Sequence, residues 1–250
     1  MEPILSTPAP NAGLPLALDH LVVAARTLDE GEAWLRARLG RSLVAGGAHP
    51  GFGTHNRLLG LGAGAGCYLE LIAPDPQQPA ASRVLFGLDE PAVAASLAQA
   101  PLVLHAVFRV LAPARLATVL PLLAYDPGTV TRMTRGALAW DITIPPGCRL
   151  RGNGLLPTLI DWGTTAHPST RLPDCGVRLA ALRLAGPEPV IAEFPLQAAP
   201  AVQSVSREAP AADSIKLELA CEPCSTISAE FLVDGQRIII RSCLPLRNLA

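Results

Sequence analysis

Leu18-Asp19-His20-Leu21-Val22-Val23 is the stretch that decides the fold, because it places one histidine inside an apolar strand. A carboxylate, Glu70, lies in the later apolar run 68–74, and the pattern then recurs with His105 in residues 103–108 and Asp161 in residues 156–162. Each half of this region therefore has a histidine on an early strand and a carboxylate on a late one, which indicates an internal repeat. Two histidines and two carboxylates brought together predict a metal site.

Three consecutive units follow from the pattern of strands and helices, and they predict an α+β fold. The first unit, residues 16–76, begins with the His20 strand and continues with a helix. Thr27 and Glu30 form a capping box at the start of that helix, and Gly40 is suited to end it. Three strands complete this first βαβββ module.

The second module, residues 102–163, repeats this order with a shorter helix, because Pro121 interrupts the helical pattern. The remainder, residues 176–243, is predicted to be a degenerate third βxβββ unit that lacks the histidine and carboxylate positions, with no convincing helix between Pro187 and Asp213. It ends in a hairpin, because Asp234-Gly235 separates two alternating strands.

Strand alternation predicts where the four candidate side chains point. Leu69, Leu71 and Ala73 form an apolar face suited to packing beneath the helix, so Glu70 faces the other way. The same reasoning places His20 and His105 on the face away from the helices. If the two modules form a cup, the four side chains converge inside it.

Composition narrows the function classes. The 250 residues are 50% hydrophobic and 16% charged, the net charge is −1, and Lys216 is the only lysine. No basic run has interleaved aromatic residues, which argues against nucleic-acid binding. The uncharged stretch 91–108 approaches the length of a membrane span, but Pro101 divides it into a helical piece and a strand. We therefore expect a cytoplasmic protein without a secretory signal or membrane segment.

The six cysteines do not predict a disulfide framework. Cys67, Cys148 and Cys175 stand alone in apolar or Gly/Pro segments, as small buried or loop residues do. Cys221 and Cys224 form a single C-x-x-C, but a structural zinc site needs a second ligand pair. We interpret them as two thiols near a turn.

The motifs around His20 and Glu70, the loop 49–59 and the segment 154–162 resemble the vicinal-oxygen-chelate superfamily, in particular its glyoxalase-like proteins. The resemblance covers about residues 16–184. It implies paired βαβββ modules, the fold of glyoxalases, bleomycin-resistance proteins and dihydroxybiphenyl dioxygenases. It also implies a divalent metal ion (Zn, Ni, Co, Mn or Fe) held by His20, Glu70, His105 and Asp161. Asp161 departs from the glutamate usual at that position, so a water-bridged or vacant ligand position is an alternative there.

The resemblance implies a metal-dependent lyase or isomerase that acts on a small oxygenated substrate through a metal-stabilised enolate, with Glu70 and Asp161 as catalytic carboxylates. One alternative is an extradiol-type dioxygenase, in which His20, His105 and Asp161 hold Fe(II). Another is a protein that sequesters a small molecule without catalysis. The only partner expected is a small-molecule substrate, and a homodimer is compatible with this interpretation.

Further residues are candidates for substrate binding. A loop around Gly51–Gly53 could close over a substrate, although its histidines could equally contact solvent or backbone. Arginines of the second module could grip an anionic group, and aromatic residues could line an apolar pocket or simply belong to the core. The loop candidates are His49, His55, Asn56 and Arg57; the arginines are Arg132, Arg135, Arg149 and Arg151; the aromatics are Tyr68, Phe108, Trp140 and Trp162.

Overall fold

The computed structural model describes residues 14–62, 66–78, 83–195 and 215–244. Its strands are β1 (Leu16–Ala24), β2 (Val44–His49), β3 (Thr54–Gly60), β4 (Tyr68–Pro74), β5 (Leu102–Val110), β6 (Thr129–Arg135), β7 (Leu138–Ile144), β8 (Thr158–Asp161), β9 (Val177–Gly186), β10 (Lys216–Cys221), β11 (Thr226–Val233) and β12 (Gln236–Cys243). Its α-helices are α1 (Leu28–Leu39), α2 (Pro91–Leu97), α3 (Leu116–Val119) and α4 (Glu188–Ala192).

The first helix forms as its sequence predicts. The Thr27 hydroxyl accepts a hydrogen bond from the Glu30 amide (3.2 Å), and Gly40 ends α1 in the left-handed conformation with φ 65°. The Glu30 side chain binds Arg26 (3.0 Å), so only the Thr27 half of the predicted capping box is present. Leu35 and Leu39 on α1 and Leu69 and Leu71 on β4 are buried, which places the apolar faces of helix and strand in one core.

An eight-stranded sheet contains both predicted modules, in the order β2-β3-β4-β1-β5-β8-β7-β6. Within each module the first and last strands are parallel neighbours, β1 beside β4 and β5 beside β8. The modules meet where β1 pairs antiparallel with β5. The predicted α+β fold of paired βαβββ modules is therefore confirmed, and the module boundary lies in the middle of one continuous sheet.

The C-terminal unit forms a second sheet in the order β10-β9-β11-β12. Its β9-α4-β10-β11-β12 order keeps the predicted βxβββ pattern, but β9 here pairs in parallel with the second strand of the unit, β10. The five-residue helix α4 corrects the expectation of no helix after Pro187; residues 196–214 lie outside the described residues. The predicted hairpin is present, with Asp234 and Gly235 both at positive φ.

The described residues contain no helix that is both long and apolar enough to cross a membrane. The stretch 91–108 forms α2 and most of β5, as the division at Pro101 predicts. All six cysteines are free thiols: Cys67 and Cys148 are buried, and Cys221 and Cys224 are exposed near the turn between β10 and β11.

Candidate active site

A β-bulge at the start of the site turns two neighbouring side chains toward each other. Leu18 pairs with Phe108 and His20 pairs with Val107, so Asp19 is an extra residue in β1. Such an insertion breaks strict alternation and re-aims side chains. The Asp19 carboxylate consequently reaches His20 on its own strand, with 2.7 Å between Oδ1 and Nδ1 of the imidazole.

Asp19 is fully buried and accepts further hydrogen bonds from Trp162 Nε1 (2.8 Å) and His167 Nε2 (3.0 Å). Burial alone would raise the pKa of this carboxyl, but the hydrogen bonds from His167 and His20 outweigh burial and hold the pKa well below its usual range. Asp19 is thus a carboxylate that fixes the orientation of His20. It also ties β1 to the loop after β8.

His20 and Glu70 stand side by side on parallel neighbouring strands. Nε2 of His20 lies 3.3 Å from Oε2 of Glu70, and the His20 ring stacks on Tyr68 with 4.8 Å between ring centroids. Burial opposes charge on both groups, yet hydrogen bonds to Asp19 and Glu70 raise the pKa of His20 to about 9. Hydrogen bonding to His20 likewise overcomes burial and lowers the pKa of Glu70 to about 2. At neutral pH this is an imidazolium between two carboxylates.

The β2–β3 hairpin adds His49 and Asn56. The Asn56 amide nitrogen donates to Oε1 of Glu70 and lies 3.3 Å from Nε2 of His49, while Nδ1 of His49 lies 2.8 Å from the Thr54 hydroxyl. Because Nε2 of His49 accepts the hydrogen bond from the Asn56 amide, the ring proton of His49 is assigned to Nδ1, which donates to the Thr54 hydroxyl. Burial lowers the pKa of His49, so this second histidine is neutral at neutral pH.

The second module contributes an apolar wall and one cation. His20, Glu70, His49, Asn56 and Tyr68 line one side of a cavity. It has about 30 Å³ of space for the centres of water-sized molecules, which is enough for an ion or a few waters. Arg135, at the end of β6, lies 3.2 Å through Nη1 from Oδ1 of Asn56. The remaining lining is apolar or aromatic: Leu85, Phe86, Met133, Trp140, Ile142, Ile160 and Trp162.

Two neighbouring glycines allow Asn56 and Arg135 to pack against β2. A Cβ at Gly46 would overlap the Asn56 amide, and a Cβ at Gly47 would lie 2.8 Å from Cδ of Arg135. The Gly47 amide also donates to Oδ1 of Asn56 (2.9 Å). The Gly46-Gly47 pair therefore lets side chains from two modules meet above one strand.

The structure does not bring the four predicted metal ligands together. His105 lies on the same face of the sheet as His20, but both of its ring nitrogens are engaged. Nδ1 lies 2.7 Å from the Gly154 carbonyl, and Nε2 accepts from the Thr158 amide at 3.1 Å. Its ring also packs against Phe86, which lines the cavity. His105 is therefore a buried structural residue.

Asp161 faces away from the cavity, which corrects the expectation that it is a ligand or catalytic carboxylate there. Its neighbour Ile160 lines the cavity, so alternation directs Asp161 to the opposite face of β8. There its carboxylate accepts from the Leu116 amide at the start of α3 (3.3 Å) and pairs with Arg115 (3.2 Å).

The strand position that corresponds to Glu70 is Thr158. Glu70 pairs with Val22, two residues after His20, and Thr158 pairs with Val107, two residues after His105. The sequence carries this signal, because Leu71-Ile72 follows Glu70 and Leu159-Ile160 follows Thr158. In the second module a hydroxyl thus replaces the carboxylate.

Alternation also divides the predicted substrate-binding residues. His49 and Asn56 line the cavity, whereas His55 and Arg57 lie on the opposite face of β3. Arg57 there pairs with Glu32 (2.6 Å) and Asp29 (2.7 Å) of α1. Asp19 and His167 are residues of the site that the sequence did not identify: the bulge hides Asp19, and no short motif marks His167.

Among the described residues, no group of three or more His, Cys, Asp or Glu side chains has the arrangement of a metal site. His20 and Glu70 remain as one adjacent pair of potential ligands. Their 3.3 Å separation is close to the spacing of two ligands that each stand about 2.1 Å from the same ion. The donor set therefore fits half of the predicted site, and all of it comes from the first module.

Comparison with known proteins gives a family match and several structural matches. A family model described as a glyoxalase-like domain matches residues 18–198. Methylmalonyl-CoA epimerase from Mycobacterium tuberculosis is 21% identical, covering 61% of this chain and 92% of its own, with a TM-score of 0.39. A hypothetical protein from Staphylococcus aureus is 12% identical, covering 90% and 84%, with a TM-score of 0.48. A search of curated proteins finds no match.

Proposed function

The chain belongs to the glyoxalase-like domain family of the vicinal-oxygen-chelate superfamily, and from this premise we propose that it is a divalent-metal-dependent isomerase or lyase of small oxygenated molecules. One observation carries the proposal: His20 and Glu70 form a buried polar pair facing a cavity whose other wall is apolar. A desolvated, ionised pair facing an apolar wall is the arrangement expected of a reactive site.

His20, once Nε2 has released its proton to solvent, and Glu70 would hold the metal ion, with Asp19 as the partner that orients His20. Carboxylates that bind the second ring nitrogen of a ligating histidine fix its tautomer and raise its basicity. When bound, the ion supplies Lewis-acid polarisation of a substrate oxygen. With His20 and Glu70 as the two ligands from the chain, substrate oxygens and water would complete the coordination of the ion.

Glu70 is also the base that we propose for removing a proton from the carbon beside a substrate carbonyl: Oε2, beside His20, would bind the ion, and Oε1 would take the proton. Its carboxylate is ionised at neutral pH and is positioned by the Asn56 amide. His49, neutral and linked to the same amide, can receive or return a proton through Nε2. The apolar wall excludes water from the developing negative charge.

A non-catalytic binding protein is the second candidate, favoured by the second module. That module contributes no carboxylate to the cavity and lines it with Met133, Trp140, Ile142, Ile160 and Trp162. An apolar wall of this kind is suited to retaining a ligand. The dioxygenase alternative loses its support, because His20, His105 and Asp161 do not meet.

The deciding experiment measures the exchange of a substrate proton for deuterium from the solvent. Chelator-treated protein is reloaded separately with Zn, Ni, Co, Mn or Fe(II). Each form is incubated in deuterium oxide with small 2-hydroxy and 2-oxo carbonyl compounds. ¹H NMR then follows the loss of signal from the hydrogen on the carbon beside the carbonyl. We expect metal-dependent exchange that Glu70→Gln reduces at least about 100-fold. Asp161→Asn is the matched control, because this carboxylate lies outside the cavity, and it should keep exchange. Saturable binding without exchange in any metal form would favour the binding protein.

A further inference from the structure

Arg135 is the one second-module arginine of the four candidates that lines the cavity, and it differs from the other three in its partners. Arg132 pairs with Asp141 (3.2 Å), Arg149 with Glu90 (3.7 Å) and Arg151 with Asp126 (3.0 Å). In the described part of the chain, Arg135 has no carboxylate within ion-pairing distance. Its polar side-chain contact is the neutral Asn56 amide.

The surroundings of Arg135 leave its charge uncompensated. The guanidinium lies 5.9 Å from the centroid of the Trp140 ring, a contact that holds it without neutralising it. The carboxylate of Glu70 is already paired with His20. A guanidinium carries five N–H donors in a planar fork that matches a carboxylate, and the Asn56 contact uses one of its nitrogens.

The Asn56 amide links this cation to the proposed base. Its nitrogen donates to Glu70 and its oxygen accepts from Arg135, so the two groups are one amide apart at the polar end of the cavity. A carboxylate bound to Arg135 would therefore bring the nearest carbons of the ligand, C2 of a 2-hydroxy acid or C3 of a 2-oxo acid, toward Glu70. Met133, Trp140 and Trp162 would contact the rest of the molecule.

We propose that Arg135 anchors a substrate carboxylate, and that the ligands of this cavity are small carboxylates with an apolar body and an oxygen-bearing carbon beside the carboxylate. The inference rests on the proposed function only for the reacting carbon, since the anchoring of the anion needs no turnover. Guanidinium recognition of a carboxylate beside apolar walls gives both affinity and orientation.

The test compares acids with their uncharged esters, using pyruvate, 2-oxobutanoate and their methyl esters as probes. Tryptophan fluorescence reports binding, because Trp140 and Trp162 line the cavity. The full-length chain carrying Glu70→Gln is used throughout, which removes turnover from the measurement. We expect each acid to bind at least about 10-fold more tightly than its ester. Arg135→Gln should abolish this preference, and Arg135→Lys should keep part of it.

Two further variants separate anchoring from a structural role. Arg132→Gln, on the same strand but paired with Asp141, should keep the full preference for the acid. Gly47→Ala should reduce the preference, because the added Cβ would lie 2.8 Å from Cδ of Arg135 and displace it. Acid and ester binding equally to the parent protein, or neither binding, would overturn the proposal. So would an Arg135→Gln variant that weakens acid and ester equally. An intact acid preference, together with no proton exchange by the wild-type chain in the deuterium experiment, would instead overturn the isomerase proposal alone.

Discussion

His20 and His105 occupy corresponding positions in the two modules but have different partners and surroundings. His20 lies two residues before Val22, which pairs with Glu70, and His105 lies two residues before Val107, which pairs with Thr158. Glu70 is the partner of His20, and the pair faces a cavity; Thr158 is the partner of His105, and this pair is sealed within the core. The comparison teaches that one residue on the last strand, carboxylate or hydroxyl, separates an ion pair that faces a cavity from a hydrogen-bonded pair in the core.

The largest effect on stability should come from the sealed pair. His105→Ala removes the partners of the Thr158 amide and the Gly154 carbonyl and leaves a cavity in the core. We expect it to lower the free energy of unfolding by about 3 kcal/mol, measured by urea denaturation. Calorimetric titration should show unchanged divalent-ion affinity in the folded variant, whereas His20→Ala should abolish ion binding. A reversed pattern would mean that His105, not His20, is the metal ligand.

The sequence predicted the fold well, because strands, turns and caps are local signals. α1 with its Thr27 cap and Gly40 stop, the Asp234-Gly235 hairpin and the apolar helix-facing side of β4 all follow from spacing and turn chemistry. The pairing of β9 with β10 did not follow. Which strands become neighbours depends on packing between distant segments, and the pattern of a single strand does not encode it.

The candidate site was predictable only where strand alternation holds. It places His20, Glu70, His49 and Asn56 on the cavity side, and all four line the cavity. Strand alternation applied to β3 would also have excluded His55 and Arg57 from the predicted substrate-binding residues. Asp161 was selected as the carboxylate in the late apolar run of the second module, whereas strand position selects Thr158. Asp19 could not be predicted, because a bulge depends on how β1 meets β5.

The charged pair His20 and Glu70 of the first module should make the free energy of unfolding depend on pH. The size of this effect should lie between those expected for His105→Ala and Asp161→Ala. The pKa of His20 is raised from 6.5 to about 9, so its contribution is complete below pH 6.5 and lost as pH rises through 9. The pKa of Glu70 is lowered from 4.5 to about 2, so its contribution is complete above pH 4.5 and lost as pH falls toward 2. Asp19, whose pKa is also lowered, adds to the acid side.

Metal-free protein should therefore be most stable between about pH 4.5 and 6.5, and should lose about 2 kcal/mol between pH 6 and pH 10. Urea denaturation across this range measures the loss. Glu70→Gln removes one of the two carboxylates that hold the proton on His20, so it should flatten the alkaline decline. Thr158→Val, at the matching position of the second module, should lower stability equally at every pH. An alkaline decline that is unchanged in Glu70→Gln would contradict the assigned pair.

The smallest effect is expected at Asp161, which was predicted to match Glu70 in the second module with a shorter side chain. Its carboxylate accepts from the amides of Leu116 and Gly163 and pairs with Arg115, which is half exposed. Water can replace part of such an interaction, so Asp161→Ala should lower the free energy of unfolding by about 1 kcal/mol. Calorimetric titration should show the same divalent-ion affinity as wild type, because the side chain lies across the sheet from the cavity. A loss of ion affinity comparable to that of His20→Ala would show that β8 can turn Asp161 inward, and that the second module shares in the site after all.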